Sequence, residues 1–439
     1  MKTITGFAFI LPLLLILASP STLAESTGMS VANVKTLKID RGLSTEGKAC
    51  ITCHQQITPG QVADWKDSRH AHAGISCIDC HQVAEDAPHA MRHANVEDTP
   101  VFVSPLVSPA VCGRCHVAAK EQFDASGHFR AYRQIIPKDS LHALQVVHEG
   151  RNHPELSGAP GETGCMQCHG TEILLDEDNR PTPETWPNNG MGNIYPDGST
   201  GSCTACHSRH KFDIGEARHP HACASCHLGP DHPNIEIFNN SKHGHLYNTE
   251  GDEWEFDTAP DAWEPGDYRG PTCATCHMSG IGELSVTHNI TERLYWNLWA
   301  KESKVRGSDD VLSPLLGDGP EGRKKMKMVC NNCHTGSHTN NFFTQGDKAV
   351  KLYNVAYYEP ATEMLKDLKA KGLLKENPWT DEFQITYYYL WHHEGRRARQ
   401  GAMMGAADYA HWHGFFELQQ DLYKLEGIYE KRLETGEIE

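Results

Sequence analysis

The sequence predicts a mainly α-helical fold in two parts, with short helices and loops up to about residue 290 and a bundle of longer helices after it. Two observations predict this division. Before residue 290 the chain is interrupted repeatedly by Gly, Pro, Asn and Asp, which favours short helical turns joined by loops. After residue 290, apolar residues recur with the three- and four-residue spacing of amphipathic helices.

All sixteen cysteines stand in Cys-x-x-Cys-His units, of which there are eight. Two thiols with this spacing can each add to a vinyl group of haem, while the next histidine binds the iron. The short helices and loops are therefore predicted to pack around eight covalently bound c-type haems. The attachment cysteines are Cys50, Cys53, Cys77, Cys80, Cys112, Cys115, Cys165, Cys168, Cys203, Cys206, Cys223, Cys226, Cys273, Cys276, Cys330 and Cys333. The iron-binding histidines of the units are His54, His81, His116, His169, His207, His227, His277 and His334.

Two other uses of cysteine fit part of this pattern. Cys203, Cys206, Cys223 and Cys226 have the spacing of a four-cysteine zinc ribbon. However, a zinc ribbon does not explain why a histidine follows every second cysteine. A disulfide framework does not explain why every cysteine stands in a Cys-x-x-Cys unit. The eightfold repetition argues against both.

The N-terminus has the features of a secretory signal peptide. Lys2 precedes an apolar run from Phe7 to Ala18, and small residues lead up to Ala24. The run is short for a membrane span, although an uncleaved anchor is the alternative. We expect cleavage after Ala24, no transmembrane anchor in the mature chain, and export to the periplasm, where c-type haem is attached.

The predicted organisation is a signal peptide over residues 1–24, a multihaem domain over 25–290 with seven units, and a helical region over 291–439 with the eighth. Residues 25–48 are polar and predict a surface arm. The long gap between His169 and Cys203 is rich in Pro and Gly, which predicts an irregular loop serving as a lid or as a spacer.

Three C-terminal helices are predicted, over residues 358–371, 381–399 and the final thirty. The last helix carries a nearly regular apolar and aromatic stripe. Its members are Trp412, Phe415, Phe416, Gln419, Leu422, Tyr423, Leu425 and Tyr429. Long helices with aromatic stripes predict a bundle, which subunits could share.

The chain is acidic, with a formal net charge of −17. A phosphate backbone would be repelled by this charge, which argues against nucleic acid as a partner. The same charge favours docking of a basic redox protein, such as a c-type cytochrome.

Of the twenty-eight histidines, twenty lie outside the eight units, enough for a second histidine on every iron. The candidates are His70, His93, His128, His210, His243, His288 and one of the pair His392 and His393, here His392; four of them share the pattern Ser-x-His. The alternative for each is a surface position or a contact with a haem propionate. A haem that lacked the second histidine could bind a small nitrogen or sulfur compound.

Three stretches resemble the octahaem hydroxylamine oxidoreductase family. They are WPNNGMGNIYPDGSTGSCTACHSRHKF at 186–212, CHLGPDHPNIEIFNNSKHG at 226–244 and WHHEGRRARQGAMMGAADYAHWHGFFEL at 391–418. Together with the eight units, the resemblance covers most of the mature chain. It implies a homotrimer in which the fourth haem, here that of Cys165, Cys168 and His169, is catalytic.

The resemblance also assigns three further residues. Asp231 and His232 match an Asp-His pair on the open face of the catalytic haem, where they would move protons. Tyr409 matches a tyrosine that, in oxidative members, is covalently joined to the catalytic haem of a neighbouring subunit. A structural turn is the alternative for the pair, because Gly229–Pro233 is strongly turn-forming, and ordinary packing is the alternative for Tyr409.

Oxidation of hydroxylamine removes four electrons and several protons, so it requires a substrate-binding iron, a proton acceptor and several electron carriers. The fourth haem, the Asp-His pair and the other seven haems match these parts. Three functions follow: oxidation of hydroxylamine or hydrazine, reduction of nitrite or hydroxylamine to ammonia on the same scaffold, and electron transfer without catalysis. The resemblance makes oxidation of hydroxylamine the leading interpretation, with the reductive and the electron-transfer functions as its alternatives.

Overall fold

A computed structural model describes residues 42–93, 99–135, 164–308 and 316–438. In these ranges the chain is mainly helical, as predicted. The α-helices are Thr45–Ile57, Pro59–Lys66, Arg69–His72, Cys77–His81, Pro109–Gly113, Val117–Asp124, Cys165–His169, Ile214–Arg218, Pro220–Ala224, Asn234–Asn240, Lys242–Glu250, Cys273–His277, Gly319–Cys330, Gly336–Tyr353, Glu359–Ala370, Glu382–Tyr389, Gly395–Met403, Ala407–Ala410 and Phe416–Thr435. Short 3-10 helices span His128–Arg130, Cys203–Ala205, Gly251–Glu253, Pro260–Ala262 and Pro378–Thr380.

The predicted signal peptide and the arm up to residue 41 lie outside the described residues. The first helix begins at Thr45, inside the stretch expected to be an arm, because the Ser44 hydroxyl accepts a hydrogen bond from the Gly47 N–H and caps it. In the described residues, one small sheet pairs the antiparallel strands Met91–Arg92 and Phe102–Val103, with Met91 opposite Val103.

The segment between His169 and Cys203 is irregular, as predicted. It folds back onto the fourth unit, where the N–H groups of Met191 and Gly192 donate to the carbonyls of Cys168 and His169. A Cβ atom at Gly190 would lie 2.0 Å from the backbone nitrogen of Gly170. The glycine therefore permits this loop to lie directly against the fourth unit.

Three continuous helical segments form the C-terminal region, and we call them the first, second and third C-terminal helices. They span residues 336–370, 382–403 and 407–435, and each contains one π-helical turn, at Asn354–Tyr358, Leu390–Glu394 and His411–Phe415. The second and third agree with the predicted helices. The first begins about twenty residues before the predicted start, because the π turn accommodates Pro360, which lacks a backbone N–H.

The three C-terminal helices pack around a shared apolar core. Its fully buried members include Tyr353, Leu368, Phe383, Leu390 and Leu418. This core lies entirely within the last hundred residues, and helices on both sides of the predicted boundary at residue 290 contact each other. That boundary stays a prediction.

The third C-terminal helix has two apolar faces, where the sequence predicted one. Leu418, Leu422 and Leu425 face the core, whereas Trp412 is 52% exposed and Tyr423 is 76% exposed. The predicted stripe therefore divides between a buried aliphatic face and an exposed aromatic one. In the described part of the chain, no helix has the length and apolarity needed to cross a membrane.

We expect the buried ion pair of Asp381 and Arg432 to hold the second and third C-terminal helices together. Both side chains are buried, with 3.2 Å between nitrogen and oxygen, and Asp381 also caps the second helix. Asp381→Ala should lower the free energy of unfolding by about 3–5 kcal/mol, because it leaves a buried guanidinium uncompensated. Chemical denaturation followed by circular dichroism measures this loss.

The matched control is Glu382→Ala, which removes the exposed partner of Lys424 from the adjacent position. Because exposed pairs contribute little, this variant should change the free energy of unfolding far less. Equal losses in the two variants would contradict the role of the buried pair.

Candidate active site

Each Cys-x-x-Cys-His unit forms a single helical turn. Three units are five-residue helices, the first unit lies within a longer helix, and the eighth begins at the end of one. In the other three units, the histidine N–H donates a hydrogen bond to the carbonyl of the first cysteine. Residues three and four apart share one side of a helix. Both sulfur atoms and the imidazole of every unit therefore lie on the same side of the turn.

Seven unit histidines each face a second histidine from elsewhere in the chain. The ring centres are 6.0–6.4 Å apart. The pairs are His54 with His93, His81 with His210, His116 with His70, His169 with His232, His207 with His288, His227 with His128, and His334 with His243.

This separation is the one that a shared iron requires. Imidazole nitrogens lie about 2.0–2.1 Å from a bound metal ion, and a ring radius of about 1.1 Å puts two opposed imidazoles about 6.3 Å apart, centre to centre. The described residues supply no such partner for His277. Residues 136–163, whose sequence contains three histidines, lie outside the described ranges.

Several unit histidines are fixed through the ring nitrogen remote from the predicted iron. Nδ1 of His81 donates to the carbonyl of Ser104 at 2.8 Å, and Nδ1 of His169 donates to the carbonyl of Ala131 at 3.1 Å. Such bonds set the tautomer, so that Nε2 presents its lone pair to a metal.

Burial lowers the pKa of several of the paired histidines. It lowers the pKa of His128 to about 3 and the pKa values of His227 and His288 to about 4, with smaller contributions from neighbouring histidines. A neutral imidazole is the form that binds iron. The charge state of these residues therefore suits ligation.

A continuous cavity of about 3360 Å³ separates the facing histidines, and fourteen of the sixteen cysteines line it. Ordinary ligand sites occupy about 300–1,000 Å³, and protein interiors are otherwise close-packed. The cavity thus has the size and the lining expected for several haems rather than for one small molecule.

Buried arginines along the cavity match the negative charge of haem propionates. Arg293 is almost fully buried, and its four hydrogen bonds all go to backbone carbonyls. Its Nε has no hydrogen-bond partner among the described residues. Because a buried guanidinium requires an anion or further acceptors, the remaining Nε–H and the positive charge fit one oxygen of a cofactor carboxylate.

Electrostatic interactions between cysteines of different units indicate the spatial order of the haem sites, which differs from their order in the sequence. Cysteines of neighbouring sites interact in the pairs Cys50 with Cys77, Cys80 with Cys112, Cys112 with Cys203, Cys206 with Cys223, Cys223 with Cys273, and Cys276 with Cys330. These pairs connect units one, two, three, five, six, seven and eight. The fourth unit joins the sixth through Cys168 and Cys226, so it branches from the row.

The fourth site differs from the others in the residues around its second histidine. His232 faces His169 at 6.0 Å, and its Nδ1 lies 3.0 Å from a carboxylate oxygen of Asp231. Burial disfavours the charge on Asp231, but the hydrogen bond and charge of His232 and the charge of His392 outweigh it. The pKa of Asp231 therefore lies well below its usual value. The carboxylate stays ionised and orients the imidazole.

The second C-terminal helix contributes a row of side chains to this site. Tyr388, His392, Arg396 and Gln400 follow each other at intervals of four residues, and the last three line the cavity. Tyr388 stacks on His392 with ring centres 4.4 Å apart. The π turn at Leu390–Glu394 lies within this row, a helical irregularity often found at functional sites.

Known proteins match this chain in its cytochrome features. The family model "Seven times multi-haem cytochrome CxxCH" matches residues 197–379, and the model "Cytochrome c554 and c-prime" matches residues 111–208. The chain is a multihaem c-type cytochrome. It is related to hydroxylamine oxidoreductase-like proteins, as the sequence resemblance predicted.

One sequence relative and two solved structures of similar fold illustrate this likeness. A probable nitrite reductase-hydroxylamine oxidoreductase fusion protein of Kuenenia stuttgartiensis is 28% identical over 65% of this cytochrome, which spans about a third (34%) of that protein's length. A solved structure of a hypothetical multihaem protein has a TM-score of 0.75 and 23% identity, over 90% of this chain and 97% of its own. A chain from the solved structure of a Kuenenia stuttgartiensis reducing HAO-like protein complex has a TM-score of 0.62 and 18% identity. The match covers 91% of this chain and 89% of the other.

The structure brings six of the seven candidate second ligands of this cytochrome opposite unit histidines. They are His70, His93, His128, His210, His243 and His288. His392 instead lies in the aromatic cluster of Tyr388, Trp391 and His393, near Asp231. His232, predicted as a proton-transfer residue, has the ring separation of a second ligand.

Tyr409 lies at the start of the third C-terminal helix, with its ring 4.9 Å from that of His413. It is half-buried, and burial raises its pKa. Among the described residues, Tyr409 is not part of the cavity lining of its own chain.

Several residues of the fourth and sixth sites were missed by sequence reasoning. Asn234 bonds Nδ1 of His227 at 3.1 Å and the side chain of Gln400 at 2.7 Å, and the Trp299 ring lies 4.8 Å from that of His232. These partners lie far apart in the sequence, and none has a local motif. The one local signal is the turn Gly229–Pro233, which holds Asp231, His232 and Asn234 near each other.

We expect His243→Ala to convert one haem of this cytochrome from six-coordinate to five-coordinate, because His243 faces His334 at 6.1 Å. Electron paramagnetic resonance of the oxidised protein should show one new high-spin signal. His245→Ala is the matched control, since His245 lies on the same helix and is exposed. An unchanged spectrum for His243→Ala would remove His243 from the set of iron ligands.

Proposed function

We propose that this cytochrome binds eight haems and oxidises hydroxylamine at the fourth, while the other seven carry electrons away. The observation that supports the proposal is the Asp231–His232 pair facing His169. The six other histidine pairs would each hold one haem iron, which suits electron transfer. The alternative function is reduction of nitrite or hydroxylamine to ammonia on the same scaffold.

Haem iron at the fourth site would supply a coordination position for nitrogen and accept electrons. The polypeptide would supply proton transfer. Conversion of one hydroxylamine and one water to nitrite releases five protons and four electrons. His232 would accept protons from substrate, since its Nδ1 is held by the ionised Asp231, which stabilises the protonated ring.

Electrons would leave the fourth site through the sixth. The contact of Cys168 with Cys226 supports this route, because the two attachment sites adjoin. Their final acceptor would be a basic redox protein such as a c-type cytochrome, in keeping with the net charge of −17. The signal-like N-terminus supports a location in the periplasm.

The proposed assembly is a homotrimer, following the family resemblance. The exposed aromatic face of Trp412, Phe416 and Tyr423 supports an interface at the third C-terminal helix. The position of Tyr409, outside the cavity of its own chain, suits a covalent bond to the fourth haem of a neighbouring subunit.

Two observations favour the two alternative functions, reduction and electron transfer without catalysis. The names of the Kuenenia relatives include a nitrite reductase and a reducing complex, which favours the reductive direction. The His169–His232 separation equals that of the other pairs, which favours electron transfer without catalysis. The experiments below separate the three.

His232→Ala should lower turnover of hydroxylamine by about 10- to 10,000-fold, because it removes the proton-transfer group. The assay requires protein whose intact mass shows eight haems. His221→Ala, an exposed histidine, is the control and should retain full activity. Undiminished turnover in His232→Ala would show that the Asp-His pair is only part of a structural turn and has no role in catalysis.

Carbon monoxide binding to the reduced protein separates catalysis from electron transfer alone. An open fourth site should bind one carbon monoxide in the wild-type protein. If binding appears only after His232→Ala, His232 is an iron ligand and the electron-transfer function stands.

Tyr409→Phe tests the direction of the reaction. The variant should lose the optical signature of a cross-linked haem and the oxidation of hydroxylamine, while nitrite reduction is kept or increased, because an unmodified haem accepts electrons more readily. Assays pair hydroxylamine with an oxidised acceptor and nitrite with a strong reductant. Wild-type protein that shows no cross-linked chains on denaturing gels and reduces nitrite efficiently would establish the reductive function instead.

A further inference from the structure

Arg396 is a buried cation beside the fourth site. Its side chain is 8% exposed and lines the cavity shared by His169 and His232. Nε and Nη2 donate to the carbonyl of Trp299 at 3.1 and 2.9 Å, and Nη1 donates to the carbonyl of Asp231 at 3.2 Å. The guanidinium is therefore fixed against the same Asp-His turn that faces the fourth unit.

The charge of Arg396 has no direct counter-ion. Among the described residues no carboxylate forms an ion pair with it, and the Asp231 carboxylate is occupied by His232 at 3.0 Å. Arg399, three residues further along the helix, is also buried and adds to the positive charge. Burial lowers the pKa of Arg396 to about 10, so the group remains charged at neutral pH.

Two N–H groups of Arg396 remain for a ligand. The guanidinium has five donors, and the backbone carbonyls take one each from Nε, Nη1 and Nη2. A forked pair of donors with positive charge matches an oxyanion with two oxygen atoms. Because an isolated buried charge is costly, an anion is the ligand class that this position favours.

We propose that Arg396 binds nitrite at the fourth site, next to the Asp231–His232 pair, and so distinguishes it from uncharged hydroxylamine. This inference rests on the proposed function. Nitrite is present in either direction, as the product of hydroxylamine oxidation or as the substrate of reduction. A propionate of haem is the other oxyanion that could occupy these donors, and the experiment separates the two.

The test compares Arg396→Gln and Arg396→Lys in the full-length protein with all haems bound. Nitrite affinity is measured as KM in reduction or as the product-inhibition constant in oxidation, and hydroxylamine affinity is measured in parallel. Loss of a charge-assisted pair should weaken nitrite binding about 10- to 100-fold in Arg396→Gln. Arg396→Lys should weaken it less, and the KM for hydroxylamine should change by less than about threefold.

Arg323→Gln is the matched control. Arg323 lines the same cavity but is paired with Asp347 at 2.8 Å, so its loss should leave nitrite affinity unchanged. Equal weakening for nitrite and hydroxylamine, or an unchanged nitrite affinity, would overturn the proposal. A shifted haem midpoint potential with unchanged nitrite affinity would assign Arg396 to a propionate.

The wild-type protein distinguishes failure of this inference from failure of the proposed function. If it converts neither substrate, the proposed function fails, and the inference fails with it. If it converts either one and the arginine variants keep their nitrite affinity, only the inference fails. Arg396→Lys preserves the charge, so it remains informative if Arg396→Gln does not assemble with eight haems.

Discussion

The packing of the N-terminal two thirds of this molecule depends on one constraint. Pairs of imidazole rings must face each other with their centres about 6 Å apart. His81 and His210 are separated by more than a hundred residues, yet they face each other as closely as His207 and His288. A metal held between two such rings fixes distant loops relative to each other. Among the described residues of this region, no apolar cluster is as large as the core of the C-terminal helices, so haems held by such pairs would supply the missing packing. Folding and haem attachment would then be coupled.

How far the sequence predicts this arrangement depends on whether a residue has a local signal. Ser-x-His identified His70 and His243 for a physical reason. Ser68 and Ser241 cap short helices through their hydroxyl groups, so the histidine two residues later lies in the first helical turn. The same reasoning could not find Arg396 or Trp299. Arg396 bonds Asp231 across 165 residues of sequence, and Trp299 packs against His232 across 67, so no spacing rule encodes these contacts.

His392 shows the limit of reasoning from residue type. A histidine in a helical, aromatic segment matched the general requirement for an iron ligand, but the second C-terminal helix turns it toward Tyr388 and the Asp231 carboxylate. The π turn that contains it lies within the row formed by Tyr388, His392 and Arg396. Helical periodicity alone does not predict such a turn, since it depends on how the completed helix packs.

The branching of the fourth unit from the sixth has a consequence for robustness. In a simple line, damage at any carrier isolates everything beyond it. Here the sixth unit adjoins the fourth, the fifth and the seventh. An electron that passes from the fourth unit to the sixth could therefore continue to either the fifth or the seventh. If the route through one of these neighbours were lost, the route through the other would remain. Two redox partners could accept electrons at opposite ends of the row without competing for one surface.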